Sequence, residues 1–289
     1  MKRSLLQSLL LAALVCSLQA QSNISTDRSF LWQENVGWLN WRPAGDSALR
    51  IDEYVCAGFI YGANIGWINF GDGAPANDSF YQNQDSHDFG VNVSPRGELR
   101  GFAYAANIGW MNFDASGQAR VNLQSGKLEG RAYAANIGWI EFDQSDWFIQ
   151  VDHLAPGMDT DLDGIPDAWE LRFAGDLNSL REDQDQDQDG QSDLAEYMAD
   201  TDPFDPDDLL KITSLALNNN TQAQITWTSK STRIYQVHSA PKSNYGEKWS
   251  SLTDKDLSAA GPETTFTWTL SDPEAHQFFR VFSSRPLAP

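Results

Sequence analysis

The sequence is poor in cysteine and in positive charge, and it lacks any apolar run long enough to cross a membrane. Of its two cysteines, Cys16 falls within an N-terminal leader pattern, which leaves Cys56 alone. One cysteine forms no internal disulfide, so stability must come from a core, from repeats or from metal. Twenty Lys and Arg stand against forty Asp and Glu, giving a formal net charge of −20. Such a chain repels nucleic acid and anionic membrane surfaces and suits cations as partners. The histidines, His87, His153, His238 and His276, are scattered without metal-ligand pairing. There is no Gly-x-Ser-x-Gly elbow and no phosphate-cradling glycine loop. Carboxylates are plentiful enough for a glycosidase pair, but they concentrate where another chemistry explains them. The expectation is therefore no enzyme, no catalytic residues, no nucleic-acid partner and no membrane-spanning segment.

What is present divides the chain into four segments. Residues 1–20 read as a signal peptide: Lys2 and Arg3, the apolar stretch Leu5 to Val15, then Leu18-Gln19-Ala20 before a cleavage point. The expected location is secreted or at the cell surface. Residues 28–150 repeat a short motif, in Glu34 to Trp41, Tyr61 to Phe70, Tyr104 to Phe113 and Tyr133 to Phe142. The last three read Tyr-(Gly/Ala)-Ala-Asn-Ile-Gly-Trp, followed by a Phe three residues on. Each unit is predicted as a β-hairpin turning at Ala-Asn-Ile-Gly, where Asn and Gly tolerate positive φ. No unit buries its aromatic face alone, so one continuous β structure is expected. The repeated Trp38, Trp67, Trp110 and Trp139 are read as core, with a row of glycan platforms as the alternative. Cys56, aligned with Leu99 and Leu128, is read as a small buried hydrophobe. The insertion from Gly71 to Gly90, with Tyr81 and His87, is read as a solvated excursion.

Residues 152–208 hold 19 of the forty acidic residues. Two twelve-residue loops align by their glycines, one from Asp159 to Glu170 and the other from Asp185 to Glu196. Each has Asp at positions 1, 3, 5 and 9, Gly at 6 and Glu at 12, the spacing of an EF-hand-type calcium loop. Alternating carboxylates turn toward one point, glycine permits the bend, position 7 offers its carbonyl, and the last Glu closes the shell. The predicted Ca²⁺ ligands are Asp159, Asp161, Asp163, Ile165 (carbonyl), Asp167 and Glu170. In the second loop they are Asp185, Asp187, Asp189, Gln191 (carbonyl), Asp193 and Glu196. A register starting at Asp183 fails, because it puts Gln188 at position 6 and Leu194 at position 12. Short helices are expected at Asp167–Phe173 and at 193–198.

Residues 210–289 alternate again. Candidate strands at 211–216, 222–228, 233–239, 264–270 and 278–283, with a further short one near Trp249, suggest a small β-sandwich.

The run Asp159 to Asp208 resembles the calcium-binding thrombospondin type 3-like repeats of bacterial secreted proteins. The residues that carry the likeness are Gly-Ile-Pro-Asp-Ala-Trp-Glu170 and Glu196-Tyr-Met-Ala-Asp-Thr-Asp-Pro203. The resemblance implies a compact calcium-filled spacer, to which Asp200 and Asp202 could add oxygens. The Asn-Ile-Gly-Trp units resemble β-rich repeats of bacterial exported proteins. The tail, with Ile225-Thr-Trp227, Tyr235-Gln-Val237 and Phe278 to Val281, is similar to fibronectin type III-like domains. The sequence thus predicts a mainly β fold: a β-hairpin repeat domain, a short calcium-loop segment with small helices, and a C-terminal β-sandwich. The expected function is a calcium-binding structural or adhesive surface protein, with a cell-surface protein or glycan as partner. The alternative is a carbohydrate-binding or carbohydrate-processing protein using exposed aromatics.

Overall fold

The computed structural model describes residues 21–218, 222–241, 249–270 and 277–289. The predicted signal peptide lies outside the described residues. The protein is mainly β, with two short helices among the described residues. Two compact units are present, one formed by residues through Pro75, Tyr81–Val93 and Glu98–His153, the other by Ala76–Phe80, Ser94–Gly97 and Leu154–Pro289.

The first unit contains β1 (Phe30–Gln33), β2 (Gly37–Asn40), β3 (Arg50–Ile51), β4 (Cys56–Gly62), β5 (Gly66–Asp72), β6 (Val91–Val93), β7 (Leu99–Ala105), β8 (Gly109–Asn112), β9 (Arg120–Val121), β10 (Leu128–Glu129), β11 (Arg131–Ala134) and β12 (Gly138–Glu141). The four repeats are the hairpins β1–β2, β4–β5, β7–β8 and β11–β12. All four turn in three residues and share one register, with Gly37, Gly66, Gly109 and Gly138 at φ between 75° and 83°. In each, the N–H of the third loop residue bonds back to the residue before the loop at 3.1–3.3 Å, and the left-handed glycine opens the return strand. The asparagines do not take positive φ. Instead each donates through Nδ2 to a carbonyl of a neighbouring turn: Asn64 to Val36, Asn107 to Ile65, and Asn136 to Ile108, each at 3.1 Å. Asn35 donates to Ile137 at 2.8 Å, so the four turns form a closed ring.

Neighbouring hairpins join by one or two residue pairs, such as Asn69↔Tyr104 and Tyr133↔Asn112. The last junction, between β12 and β1, is made differently. The Gln33 side chain takes the place of a strand, donating through Nε2 to the Glu141 carbonyl at 2.9 Å and accepting from the Glu141 N–H at 3.4 Å. Gly62, Ala105 and Ala134 hold the same place in the other hairpins.

Inside the ring, Leu31, Leu39, Ile60, Ile68, Ala103, Met111, Ala132 and Ile140 are buried. Below them, one aromatic from each unit completes a second ring. Trp41–Phe70, Phe70–Phe113, Phe113–Phe142 and Phe142–Trp41 lie 5.4, 5.7, 6.3 and 5.6 Å apart. Edge-to-face and offset contacts of this kind stabilise beyond their buried area. Cys56 is fully buried, and desolvation holds its thiol well above its ordinary pKa, as a packing residue rather than a nucleophile.

The core reading of the repeated tryptophans is overturned. Trp38, Trp67, Trp110 and Trp139 are 40, 50, 42 and 36% exposed. Strand alternation puts Trp and the next Asn or Glu outside, and Ile and Phe inside. Each outer Trp is paired directly across its hairpin, as Trp32↔Trp38, Tyr61↔Trp67, Tyr104↔Trp110 and Tyr133↔Trp139. Such cross-strand pairs supply the stabilisation that burial does not.

The insertion is not a solvated excursion throughout. Tyr81 is buried, and its hydroxyl accepts from Gly73 N–H at 2.6 Å and donates to the Cys56 carbonyl at 3.1 Å. A methyl group on Gly71 or Gly90 would come within 2.4 or 2.3 Å of this tyrosine, so glycine is required at both edges of its slot. His87, by contrast, is exposed. The ends of the unit are clasped by Asn23, whose Nδ2 donates to Ile51 and His153 carbonyls, both at 2.6 Å, while Ile24 bridges Val151.

In the second unit, α1 (Asp167–Phe173) and α2 (Asp193–Ala199) precede a sandwich. One sheet is β13 (Ile212–Asn218), β14 (Gln222–Thr228) and β18 (Glu263–Thr269). The other is β15 (Ile234–Pro241), β16 (Ser250–Ser251), β17 (Leu257–Ser258) and β19 (Gln277–Ser284). Ile225, Trp227, Tyr235 and Val237 form the core between them. The short strand expected near Trp249 starts one residue later.

Candidate metal centre

The two acidic loops share internal hydrogen bonds, which repeat in the register starting at Asp159 and Asp185. The position-1 aspartate accepts from the position-6 glycine: Gly164 N–H to Asp159 Oδ2 at 3.0 Å, Gly190 N–H to Asp185 Oδ2 at 2.9 Å. The position-5 aspartate accepts from position 7: Ile165 N–H to Asp163 at 2.9 Å, Gln191 N–H to Asp189 at 2.6 Å. The position-9 N–H donates backward across the loop, from Asp167 to Met158 and from Asp193 to Gln184. Gly164 and Gly190 have φ of 92° and 96°, where a side chain is strained. Leu162 and Gln188, both at position 4, share the left-handed conformation at 64° and 66°. Two sequences with different residues at position 4 thus fold into one loop shape.

These bonds aim the remaining oxygens inward. One carboxylate oxygen each from Asp159, Asp161 and Asp163 lies within 4.8 Å of the others, and the same holds for Asp185, Asp187 and Asp189. Glu170 and Glu196 are both at 0% exposure. Neither oxygen of Glu170, nor Glu196 Oε2, has a hydrogen-bond partner, and Asp163, Asp187 and Asp189 each leave Oδ2 buried and unpartnered. A buried carboxylate without partners is strongly disfavoured. Burial, then the charges of Asp161 and Asp163, push Glu170 up to about 8. Burial, then Asp187 and Asp189, push Glu196 to about 8. Burial likewise raises Asp163, Asp187 and Asp193.

Not every predicted ligand is presented alike. Asp167 accepts from Thr160 N–H at 2.7 Å and from its hydroxyl at 2.6 Å, one bond to each oxygen. Asp193 accepts from Arg181 N–H at 2.8 Å and Gln186 N–H at 3.2 Å. Position 9 therefore staples the loop from within rather than offering a bare oxygen. Ile165 and Gln191 occupy position 7 as expected, the former buried. Asp200 is spent elsewhere: it accepts from the Thr232 hydroxyl and lies 3.6 Å from Arg172. Asp202 accepts from Phe204 N–H. Asp183 is exposed and outside both clusters.

Sequence reasoning missed Arg233. It is 4% exposed, sits just before β15, and donates to the carbonyls of Tyr197 at 2.7 Å and Met198 at 3.0 Å. It thereby satisfies the last turn of α2, whose Glu196 closes the second loop. No spacing in the sequence links the two. No family model matches this chain, and neither a curated protein nor a solved structure is similar to it.

Proposed function

We propose that this is an exported calcium-binding protein, structural or adhesive at the cell surface, in which Ca²⁺ rigidifies the segment between its β-rich modules. The observation that carries the reading is the pair of fully buried glutamates, Glu170 and Glu196, with partnerless oxygens beside three aspartates each. The donor set is all oxygen and hard, which suits Ca²⁺; Mg²⁺ prefers fewer protein ligands and keeps its waters. Asp159, Asp161, Asp163, the Ile165 carbonyl and Glu170 would hold one ion. Asp185, Asp187, Asp189, the Gln191 carbonyl and Glu196 would hold the other. Asp167 and Asp193 would shape the loops around them. The ions would supply the positive charge these clusters lack. Through Glu196 and the Arg233 cap, the second would brace the start of β15 as well. Extracellular sites of this kind bind at about 10⁻⁴–10⁻³ M. Export rests on the leader at residues 1–20.

Calorimetric titration of chelator-treated mature protein tests this. Two equivalents of Ca²⁺ are expected, falling to one in Asp161→Asn and in Asp187→Asn. Chelation should open residues 159–208 to protease while the hairpin ring stays intact. Unchanged stoichiometry in the double variant, or equal cleavage with and without chelator, would sink the proposal.

A further inference from the structure

The four outer tryptophans hold equivalent places in the ring, but their surroundings differ. Trp147 stands edge-on to Trp38 at 4.7 Å. The Arg131 guanidinium lies 4.2 Å over the Trp139 ring. Trp67 packs against Phe59 and Tyr61 of its own hairpin. At Trp110 the insertion adds a wall. Phe89 stands 5.0 Å from it at 85°, and Phe102 lies 6.1 Å away at 76°. Together they line a groove of about 340 Å³ whose polar side carries Gln84, Asp85 and Ser86. Tyr104 packs on Trp110 at 4.8 Å but does not line the groove.

The wall is preformed. Tyr81 anchors its start in the core. Asn83 ties the segment together, accepting from Gly90 N–H at 3.0 Å and donating to the Tyr81 carbonyl at 3.2 Å. Asp85 Oδ1 accepts from His87 N–H at 2.7 Å and Asp88 N–H at 3.3 Å. Gln84 and Ser86 are exposed at the groove. An aromatic floor with a few convergent polar groups, at this volume, is the makeup of a small-ligand site.

We propose that this groove binds a neutral pyranose of a glycan with equatorial hydroxyls. Its flat C–H face lies on Trp110, and its hydroxyls meet Gln84, Asp85 and Ser86. An aromatic ring accepts the apolar face of such a sugar, while an axial hydroxyl would lift the ring away. No Lys or Arg lines the groove, and Asp85 adds negative charge, so uronates, sulfated sugars and phosphates are disfavoured. Its lining shares no residue with the acidic loops, and the proposed binding does not require calcium in them.

The test is calorimetry of the full mature chain with cellohexaose, laminarihexaose and chitohexaose. Alpha-linked mannohexaose and tetramethylammonium chloride serve as comparison probes. At least one of the three β-linked probes is expected to bind. Trp110→Ala should weaken it about tenfold or more, the loss of one stacking partner. Trp67→Ala, at an equivalent place without the wall, should leave it unchanged. Phe89→Ala lies on the insertion outside the ring of hairpins; it should weaken binding even if Trp110→Ala fails to fold. Four outcomes overturn the proposal. They are no binding of any of the three, equal loss in Trp67→Ala and Trp110→Ala, full binding in Phe89→Ala, and tetramethylammonium as the ligand displaced by these variants.

Discussion

Asn35 donates to the carbonyl oxygen of Ile137 at 2.8 Å, across 102 residues of sequence. The bond joins the first hairpin turn to the last. It has the same donor atom and the same acceptor position as the three bonds between successive turns. A row of repeats has two ends; this arrangement has none.

If the ring is energetically closed, Asn35→Ala should destabilise the first unit by as much as Asn107→Ala, about 0.5–1.5 kcal/mol each. Denaturant midpoints of the two variants give the comparison. A silent Asn35→Ala beside a costly Asn107→Ala would mean that the ends merely touch.

Tyr81→Phe keeps the ring in its slot and removes the hydroxyl that serves Gly73 and Cys56. A loss of about 1–3 kcal/mol is expected, because two backbone groups near the core are left unpartnered. Limited proteolysis between residues 74 and 90 should quicken in parallel. Wild-type resistance in that stretch would show that the anchor is not what holds the insertion.

Glu170→Gln should act in opposite directions with and without metal. In scans run above pH 8, where Glu170 is charged, it removes a buried charge that Asp161, Asp163, Asp167 and Asp159 repel, so the metal-free second unit should melt higher than wild type. It also removes one of the two oxygens with which the last loop residue can close a calcium shell, so Ca²⁺ affinity at that loop should fall about tenfold or more. Thermal scans with and without 5-fold excess chelator, an amount of about that order being sufficient at stoichiometric metal, separate the two effects. Lower melting in both conditions would count against a metal role for this residue.

Glu170 and Glu196 sit at about 8 in the folded metal-free chain, against an ordinary value of 4.5. The folded state therefore holds protons that the unfolded state releases. The resulting stability is fully present below pH 4.5 and is lost as pH rises toward 8. Metal-free, the acidic segment should thus resist protease better at pH 5.5 than at pH 8, a window set by those two values. Calcium bound as proposed should reverse the order, because it would bind the deprotonated carboxylates with an affinity that grows over the same interval. Protection that falls with pH in calcium as steeply as without it would contradict the assignment.

The acidic loops were the most legible stretch of the chain. Their geometry is local: Asp159 finds Gly164, and Asp185 finds Gly190, within six residues. The hairpins were legible for a similar reason, since a glycine in the left-handed region and a fixed three-residue turn set each register. Which face of the hairpin turned inward was not. In Trp-Ile-Asn-Phe both alternating positions carry an apolar residue, and only the meeting of Trp41, Phe70, Phe113 and Phe142 decides that Phe wins. Closure was hidden too. Gln33 is an ordinary polar residue in sequence, and its role as a strand substitute exists only once Glu141 has been brought beside it. Position 9 shows the limit of a motif, for the spacing names Asp167 and Asp193 but does not say that their oxygens turn to Thr160, Arg181 and Gln186.

The Asn23 clasp has a mechanical consequence. It brings the points where the chain enters and leaves the hairpin ring within one side chain of each other, through the His153 carbonyl and the antiparallel Ile24–Val151 bridge. A pull on the two flanking segments therefore loads this clasp from its open end, and its bonds break in succession, like a zipper. Asn23 also passes part of that load to β3 through the Ile51 carbonyl. Under force, the first unit should lengthen by a short early step and only then yield as a whole.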